Sequence, residues 1–153
     1  MFSFKGFKFL SVFLLLSFSI QINAQNHLPY WFSDGSKALE YSKEHEVPLL
    51  VVFAGSDWCV PCIKFKKTIL RDSLFDNYAF HNVALLYLDF PIKKKNKLLK
   101  EQQVHNDKWA ERYNKRGSFP HVVLLSDKEE KIADLKFHNQ SPQQFINELE
   151  AAQ

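Results

Sequence analysis

Two cysteines, Cys59 and Cys62, lie three positions apart in the stretch SDWCVPC, and the chain of 153 residues contains no others. A structural disulfide stabilises a protein mainly by closing a long loop in the unfolded chain, and a bridge between these cysteines would close almost none. Stability is therefore a poor reason for the pair. Two thiols at this spacing can bind a metal ion, carry haem or exchange electrons, and the surrounding residues decide among the three.

Metal and haem sites of this kind need histidine at defined positions. A zinc site has four ligands, so two cysteines would need two histidines at a short spacing. Covalent haem needs a histidine directly after the second cysteine, where Ile63 stands instead. We therefore expect neither a metal nor another cofactor, and a reversible dithiol and disulfide couple is the favoured interpretation. No two of the six histidines are three to five residues apart: His27, His45, His81, His105, His121 and His138.

The spacing suits a dithiol at the start of a helix. Unpaired backbone N–H groups and the positive end of the helix dipole favour the thiolate of the first cysteine, so Cys59 is predicted to attack a disulfide of a partner. Cys62 is close enough to attack the resulting mixed disulfide and release the partner, which makes it the predicted resolving thiol. Pro61 has no N–H to lose in the first helical turn and stiffens the segment between the cysteines.

The N-terminal residues indicate export. Lys5 and Lys8 precede a short apolar run, and the small residue Ala24 follows it after a few polar residues. This pattern predicts a secretory signal peptide over residues 1–24, cleaved near Ala24, and a single domain over residues 25–153. The apolar run is shorter than the ~20 residues of a spanning helix, so a stable membrane anchor is the weaker alternative. We expect the mature protein to be periplasmic or secreted.

The charge balance argues against one class of partner. The formal net charge of the whole chain is +3, and it falls to +1 without the two lysines of the signal peptide. A near-neutral domain lacks the strong positive charge typical of proteins that bind nucleic acid. The lysine-rich segment 93–100 has two open interpretations: a docking surface or, more commonly for such runs, a solvated face.

The pattern of apolar and polar residues predicts alternating helices and strands. An unbroken apolar run at Leu49–Phe53 is typical of a strand covered on both faces. Ser141 as N-cap, Pro142 at the first helical position and Gln144 three residues after the cap predict the start of the final helix. The complete prediction is helix 37–46, strand 49–53, helix 59–72, strand 83–88, helical region 93–113, strands 122–125 and 132–137, and the C-terminal helix.

The strand, the WCVPC motif at residues 58–62 and the following helix together resemble the thioredoxin superfamily. The likeness is greatest to secreted bacterial thioredoxin-like proteins with a WCxPC active site. It implies an α/β thioredoxin-like fold, with a central mixed four-stranded sheet flanked by helices, and a thiol-disulfide oxidoreductase that acts on disulfide-containing or thiol proteins. Pro120 stands where the family carries a cis-proline that faces the cysteines.

The resemblance also implies a substrate-binding surface, formed by Trp58, Phe119 and Pro120. His121, beside this surface, either lies near the thiols or merely opens a strand. Thioredoxins carry a buried aspartate and a lysine that help to move the proton of the resolving thiol. Phe53 and Leu85 stand at those two positions, which puts the rate of the reaction in doubt but not the exchange chemistry.

The residues around the cysteines bear on the redox direction. Val60 and Pro61, between the cysteines, carry no charge, unlike oxidising relatives with a histidine there. Asp57 is either an acid that disfavours the Cys59 thiolate or a solvated acid at the helix start, and nearby lysines could offset it. These features favour a reductase or isomerase, served by an unidentified redox partner, over an oxidase. The alternative is a non-catalytic module that binds peptides on the same fold. The nearby lysines are Lys64, Lys66 and Lys67.

Overall fold

The computed structural model describes residues 30–153. The predicted signal peptide lies outside the described residues. Within residues 30–153, no helix is both long and apolar enough to cross a membrane.

The fold is a five-stranded sheet with helices on both faces, in the strand order β1-β3-β2-β4-β5. The strands are β1 (Trp31–Phe32), β2 (Leu49–Ala54), β3 (Ala84–Asp89), β4 (His121–Leu125) and β5 (Lys131–Leu135). The helices are α1 (Gly35–Glu44), α2 (Val60–Phe65), α3 (Ser73–Asn82), α4 (Lys100–Tyr113) and α5 (Pro142–Ala151), with a π-helical turn at Lys66–Leu70 and a 3₁₀ turn at Lys94–Asn96.

The sheet is mixed, as predicted, but it has five strands instead of four. β3 pairs in parallel with β1 and β2, whereas β4 is antiparallel to both β2 and β5. The additional strand is β1, in which Trp31 and Phe32 pair with Leu85 and Leu86. Two residues are too few to show the alternation that identifies a strand in a sequence, so the pattern missed it.

The predicted burial of β2 on both faces is confirmed, because all six of its residues are buried. Alternate side chains point to opposite faces of a strand. Leu50 and Val52 pack in the same core cluster as both cysteines, with α3 and α5. Phe53 packs in a second cluster, with α1 and α4.

The predicted helix over residues 59–72 ends earlier, and a helix that the sequence analysis missed follows it. The π-helical turn stops at Leu70, and Asp72 then caps α3 by accepting a hydrogen bond from the Leu74 N–H at 2.9 Å. Phe75 and Ala79, four residues apart, bury one face of α3 in the core. The signal for α3 was an aspartate cap followed by this apolar spacing.

The predicted helical region over residues 93–113 is helical only from Lys100 onwards, apart from the 3₁₀ turn. The lysine-rich part before it is a loop. Its backbone N–H groups bind a carboxylate of another segment, described below.

The final helix begins as predicted. Gln144 N–H donates to the Ser141 hydroxyl at 3.3 Å, and the Gln144 side chain accepts from the Ser141 N–H at 2.9 Å, which completes the capping box. Phe145 and Leu149 are fully buried against the cluster that contains the cysteines.

We expect Ser141→Ala to lower the free energy of unfolding by about 1 kcal/mol, because it leaves N–H groups of the first turn without a side-chain acceptor. Ser141→Asp restores an acceptor and should recover most of the loss. Denaturant unfolding measures both variants, and an equal loss in the two would show that the loss does not come from the missing side-chain acceptor.

Candidate active site

Cys59 and Cys62 form a disulfide at the start of α2, with their Cα atoms 5.2 Å apart. Cys59 is the N-cap of this helix, and its sulfur accepts a hydrogen bond from the Cys62 N–H at 3.3 Å. Cys59 is 5% exposed and Cys62 1%. Cys59 therefore lies at the helix start and is slightly more exposed than Cys62.

The peptide bond between Phe119 and Pro120 is cis, as predicted, and it lies directly before β4. Phe119 packs edge-on against the Trp58 ring, with 5.4 Å between the ring centroids. Pro61 and the cis-proline line one groove of about 820 Å³. The structure thus places the cysteine helix, Trp58 and the cis-proline segment together. Basic side chains contribute to the same groove: Arg112, Lys115, Arg116, Lys131 and Lys136.

Trp58 is held in place from two sides although it is 41% exposed. Its indole Nε1–H donates to the Phe90 carbonyl at 2.8 Å. The indole ring also lies over Gly55, where a Cβ atom would collide with it. Glycine is thus required at the end of the strand that leads into the motif.

Ser56 binds a carboxylate at the end of the neighbouring strand. Its N–H and its hydroxyl donate to the two oxygens of Asp89, at 2.8 and 2.6 Å respectively. Asp89 is the Cα partner of Ala54 in the pairing of β2 with β3, so the sheet itself sets this contact. The Asp89 carbonyl in turn accepts a hydrogen bond from the buried Asn106 of α4, at 2.8 Å.

Asp57 organises the lysine-rich loop. Its carboxylate accepts hydrogen bonds from the Ile92 and Lys93 N–H groups, both at 3.0 Å, and from the Asn96 amide at 2.9 Å. Desolvation opposes ionisation, but these hydrogen bonds outweigh it and hold the pKa of Asp57 below its ordinary value of 3.8. Asp57 thus stays an accessible acid just before the Cys59 helix, and its carboxylate also binds the loop.

Three consecutive residues before the first cysteine thus bind one segment, residues 89–96. We call this set of contacts the motif clamp: Ser56 to Asp89, Asp57 to the loop N–H groups, and Trp58 to Phe90. The sequence analysis did not identify the partners in segment 89–96. The available signal was Asp89, directly after the predicted strand 83–88.

The two positions that carry ionisable residues in thioredoxins are apolar and fully buried here. Phe53 contacts the rings of Phe90 and His121, with centroids 6.4 and 5.9 Å apart. Leu85 packs in the same cluster as the cysteines. The imidazole Nε2 of His121 lies 3.0 Å from the Tyr113 carbonyl oxygen. His121 opens β4, one of the two roles considered for it.

Other described residues complete the surroundings of the cysteines. Val60 and Ile63 beside them are 73% and 46% exposed, so apolar side chains border the disulfide. No group of three or more His, Cys, Asp or Glu side chains suited to a metal ion occurs among residues 30–153.

Comparison with known proteins agrees with this arrangement. Residues 30–126 match the thioredoxin-like family. The chain is 31% identical to the disulfide bond reductase DsbH of Chlamydia pneumoniae, over 76% of this chain and 69% of that protein. It is 34% identical to the thioredoxin-related protein DsbJ of the same organism, over 78% of this chain but only 35% of that longer protein. A solved structure of a DsbH oxidoreductase superposes with a TM-score of 0.73 at 30% identity, covering 80% of this chain and 82% of that one.

The chain therefore belongs to the thioredoxin-like family, as the sequence resemblance indicated. With a CxxC disulfide at the start of α2, it is a protein-disulfide oxidoreductase of that family.

We expect Asp57→Ala to speed the hydrogen exchange of the Ile92 and Lys93 amides, because their acceptor is removed. Asp57→Asn keeps one acceptor oxygen and should give an intermediate rate. In the unmodified protein the lowered pKa means that the carboxylate stabilises the loop at neutral pH, and that this contribution is lost as the pH falls through the lowered value. Unchanged exchange in Asp57→Ala would contradict the clamp.

Proposed function

We propose that the protein reduces disulfides of extracytoplasmic proteins, with Cys59 as nucleophile and Cys62 as resolving thiol. The observation that carries the assignment is the position of Cys59 at the helix N-cap, where its sulfur accepts the Cys62 N–H. A hydrogen bond and helix dipole at this place favour a thiolate. The reductase direction is supported by the 31% identity to a protein named disulfide bond reductase, and isomerisation is the nearest alternative.

The reaction has two exchanges. The Cys59 thiolate attacks one sulfur of the partner disulfide, forming a mixed disulfide and releasing the partner's other sulfur as a thiolate that takes up a proton. Cys62 then loses its proton and attacks the Cys59 sulfur, which releases the partner's second thiol. The partner gains two electrons and two protons, and the protein is left with the Cys59–Cys62 disulfide. A separate thiol donor, the unidentified redox partner, must reduce this disulfide before the next cycle.

The proposed substrate surface consists of Trp58, Phe119 and Pro120. An extended segment of the partner can lie along Phe119 and Pro120, as peptides do at exposed strand edges. The aromatic pair of Trp58 and Phe119 offers an apolar contact beside the sulfur atoms. Val60 and Pro61 lie between the cysteines and add the remaining border of the site.

The proposed location follows from the N-terminal sequence. A signal peptide over residues 1–24 would direct the domain at 25–153 to the periplasm or the exterior. Disulfides persist in such compartments, so substrates for a reductase occur there.

We expect Cys59 in the reduced protein to be alkylated much faster than Cys62, with a pKa below the ~8.5 of an ordinary thiol. Cys59 is the more exposed of the two and lies at the helix start, whereas Cys62 is 1% exposed. Timed alkylation followed by mass spectrometry measures both rates. Equal rates for the two thiols would contradict the assigned roles.

We expect Cys62→Ser to accumulate mixed disulfides with partners, because no adjacent thiol remains to resolve them, and Cys59→Ser to accumulate few. Adducts recovered from the periplasmic or secreted fraction measure this. Pro120→Thr keeps both thiols and should reduce the yield of adducts by weakening partner docking. The same adducts with both cysteine variants would contradict the mechanism.

Turnover of insulin disulfides by the unmodified protein separates the proposal from a non-catalytic peptide-binding module. A reductase precipitates insulin in the presence of a thiol donor faster than the donor alone. A module that only binds peptides would leave the donor's own rate unchanged.

A further inference from the structure

A second cavity, of about 610 Å³, adjoins the cysteine motif and shares no lining residue with the cis-proline groove. It touches the motif through Ser56 and through Ile63, the residue after Cys62. A partner bound at Cys59 would therefore have neighbouring residues within reach of this cavity. Its lining is Ser56, Ile63, Lys66, Lys67, Arg71 and Tyr87.

The three cations of this cavity form none of the ion pairs found among the described residues. The Lys66 ammonium lies over the Tyr87 ring, 4.3 Å from its centroid, and 5.9 Å from the Trp31 centroid. The Arg71 guanidinium lies 5.4 Å from the same Trp31 centroid. Two positive groups therefore share one aromatic ring. Desolvation and then the charge of Arg71 lower the pKa of Lys66, and they outweigh the opposing effect of the Asp89 charge.

Asp89, at the end of the neighbouring strand, offsets the charge of Lys66 only in part. Asp89 attracts Lys66, but each of its carboxylate oxygens already accepts a hydrogen bond from Ser56. Lys67 and Arg71 lie further along the chain and are exposed. An anion entering the cavity would meet positive charge that the fold leaves available.

Tyr87 adds a hydrogen-bond donor. Tyr87 is 9% exposed, and its hydroxyl oxygen is buried without a hydrogen-bond partner among residues 30–153. Burial, and then the charge of Asp89, raise the pKa of Tyr87, so the hydroxyl stays protonated at neutral pH. An unpaired buried hydroxyl costs free energy that an acceptor on a ligand would recover.

The π-helical turn explains why the side chains of Lys66 and Arg71 lie close together. In an α-helix, residues five apart are separated by about 140° around the axis. Here the Arg71 N–H donates to the Lys66 carbonyl at 3.0 Å, a bond that spans five residues and brings both side chains to one face. Short π-helical turns are frequent at functional sites.

We infer that this cavity binds an acidic side chain of the partner polypeptide, close in sequence to the partner's cystine. The inference rests on the proposed function for the identity of the partner. A carboxylate matches what the cavity offers: ammonium and guanidinium groups around it and a hydroxyl donor at its side. This contact would select substrates by their charge, whereas the disulfide exchange reaction itself is unselective.

Binding is tested without any disulfide chemistry, by fluorescence anisotropy with two labelled linear peptides that lack cysteine. One peptide carries four glutamates, and the other carries glutamine at the same positions. We expect the unmodified protein to bind the glutamate peptide at least about fivefold more tightly, with a difference that shrinks as salt is added. Arg71→Gln and Lys67→Gln should each reduce that difference by about threefold, in the range of exposed ion pairs.

Two further variants sharpen the test. Tyr87→Phe removes only the hydroxyl and should also reduce the preference for glutamate. Lys64→Gln changes the net charge equally and lies on α2, just before the π-helical turn, but Lys64 does not line the cavity, so the preference should remain. Equal binding of the two peptides, or equal loss in Lys64→Gln and Arg71→Gln, would overturn the inference. If succinate competed as strongly as the glutamate peptide, the inference that the bound carboxylate belongs to a polypeptide would be overturned.

Turnover of disulfide-linked dimers of the two peptide sequences, each extended by one cysteine, tests the proposed function separately. A higher kcat/KM for the glutamate dimer, lost in Arg71→Gln, supports the inference. Turnover of both dimers at the same rate by the unmodified protein overturns it and leaves the reductase intact. No turnover of either dimer, with the binding preference preserved, refutes the reductase and leaves the acidic-peptide site supported.

Discussion

The reactive turn depends on the carboxylates of Asp57 and Asp89. A turn between a strand and a short helix has backbone N–H groups that its own secondary structure does not satisfy, and the same holds for the loop after β3. Asp89 accepts from Ser56 of the turn, and Asp57 accepts from Ile92 and Lys93 of the loop, so each segment satisfies groups of the other. The sheet brings them together, because Asp89 pairs with Ala54 directly before the turn. The disulfide is therefore presented by a turn that is hydrogen-bonded to the neighbouring strand and loop.

The features that could be predicted from the sequence are those governed by local physics. The continuous apolar run of β2, the capping box of α5 and the thiol spacing each depend on residues within one short segment. β1 depends on a pairing with β3 far along the chain, and its two residues carry no pattern of their own. The lysine-rich loop is part of the long polar region predicted to be helical, but Asp57, distant in sequence, accepts hydrogen bonds from its Ile92 and Lys93 N–H groups instead.

Phe53 and Leu85 are apolar where thioredoxins carry ionisable residues, and this affects both packing and proton transfer. An ionisable group buried there would have needed a partner, and its burial would have cost several kcal/mol without one. Phe53 instead packs against the rings of Phe90 and His121, and so supports the residue whose carbonyl binds Trp58. Phe53 thus contributes to the packing around the motif clamp. In the proposed mechanism, proton transfer at Cys62 would then proceed through water or a group elsewhere, which would affect the rate of release and leave the two exchange steps unchanged.

The acidic and the basic side chains around the cysteines differ in their partners. Asp57 and Asp89, the acids of the motif and its neighbouring strand, are bound by N–H and hydroxyl donors of the fold. Lys66 and Arg71 are held over aromatic rings, which places them without neutralising them. The negative charge near the site thus maintains its shape, while positive charge remains available to a partner. Selectivity for a substrate can then arise from the surface beside the sulfur atoms, although the overall charge of the domain is close to neutral.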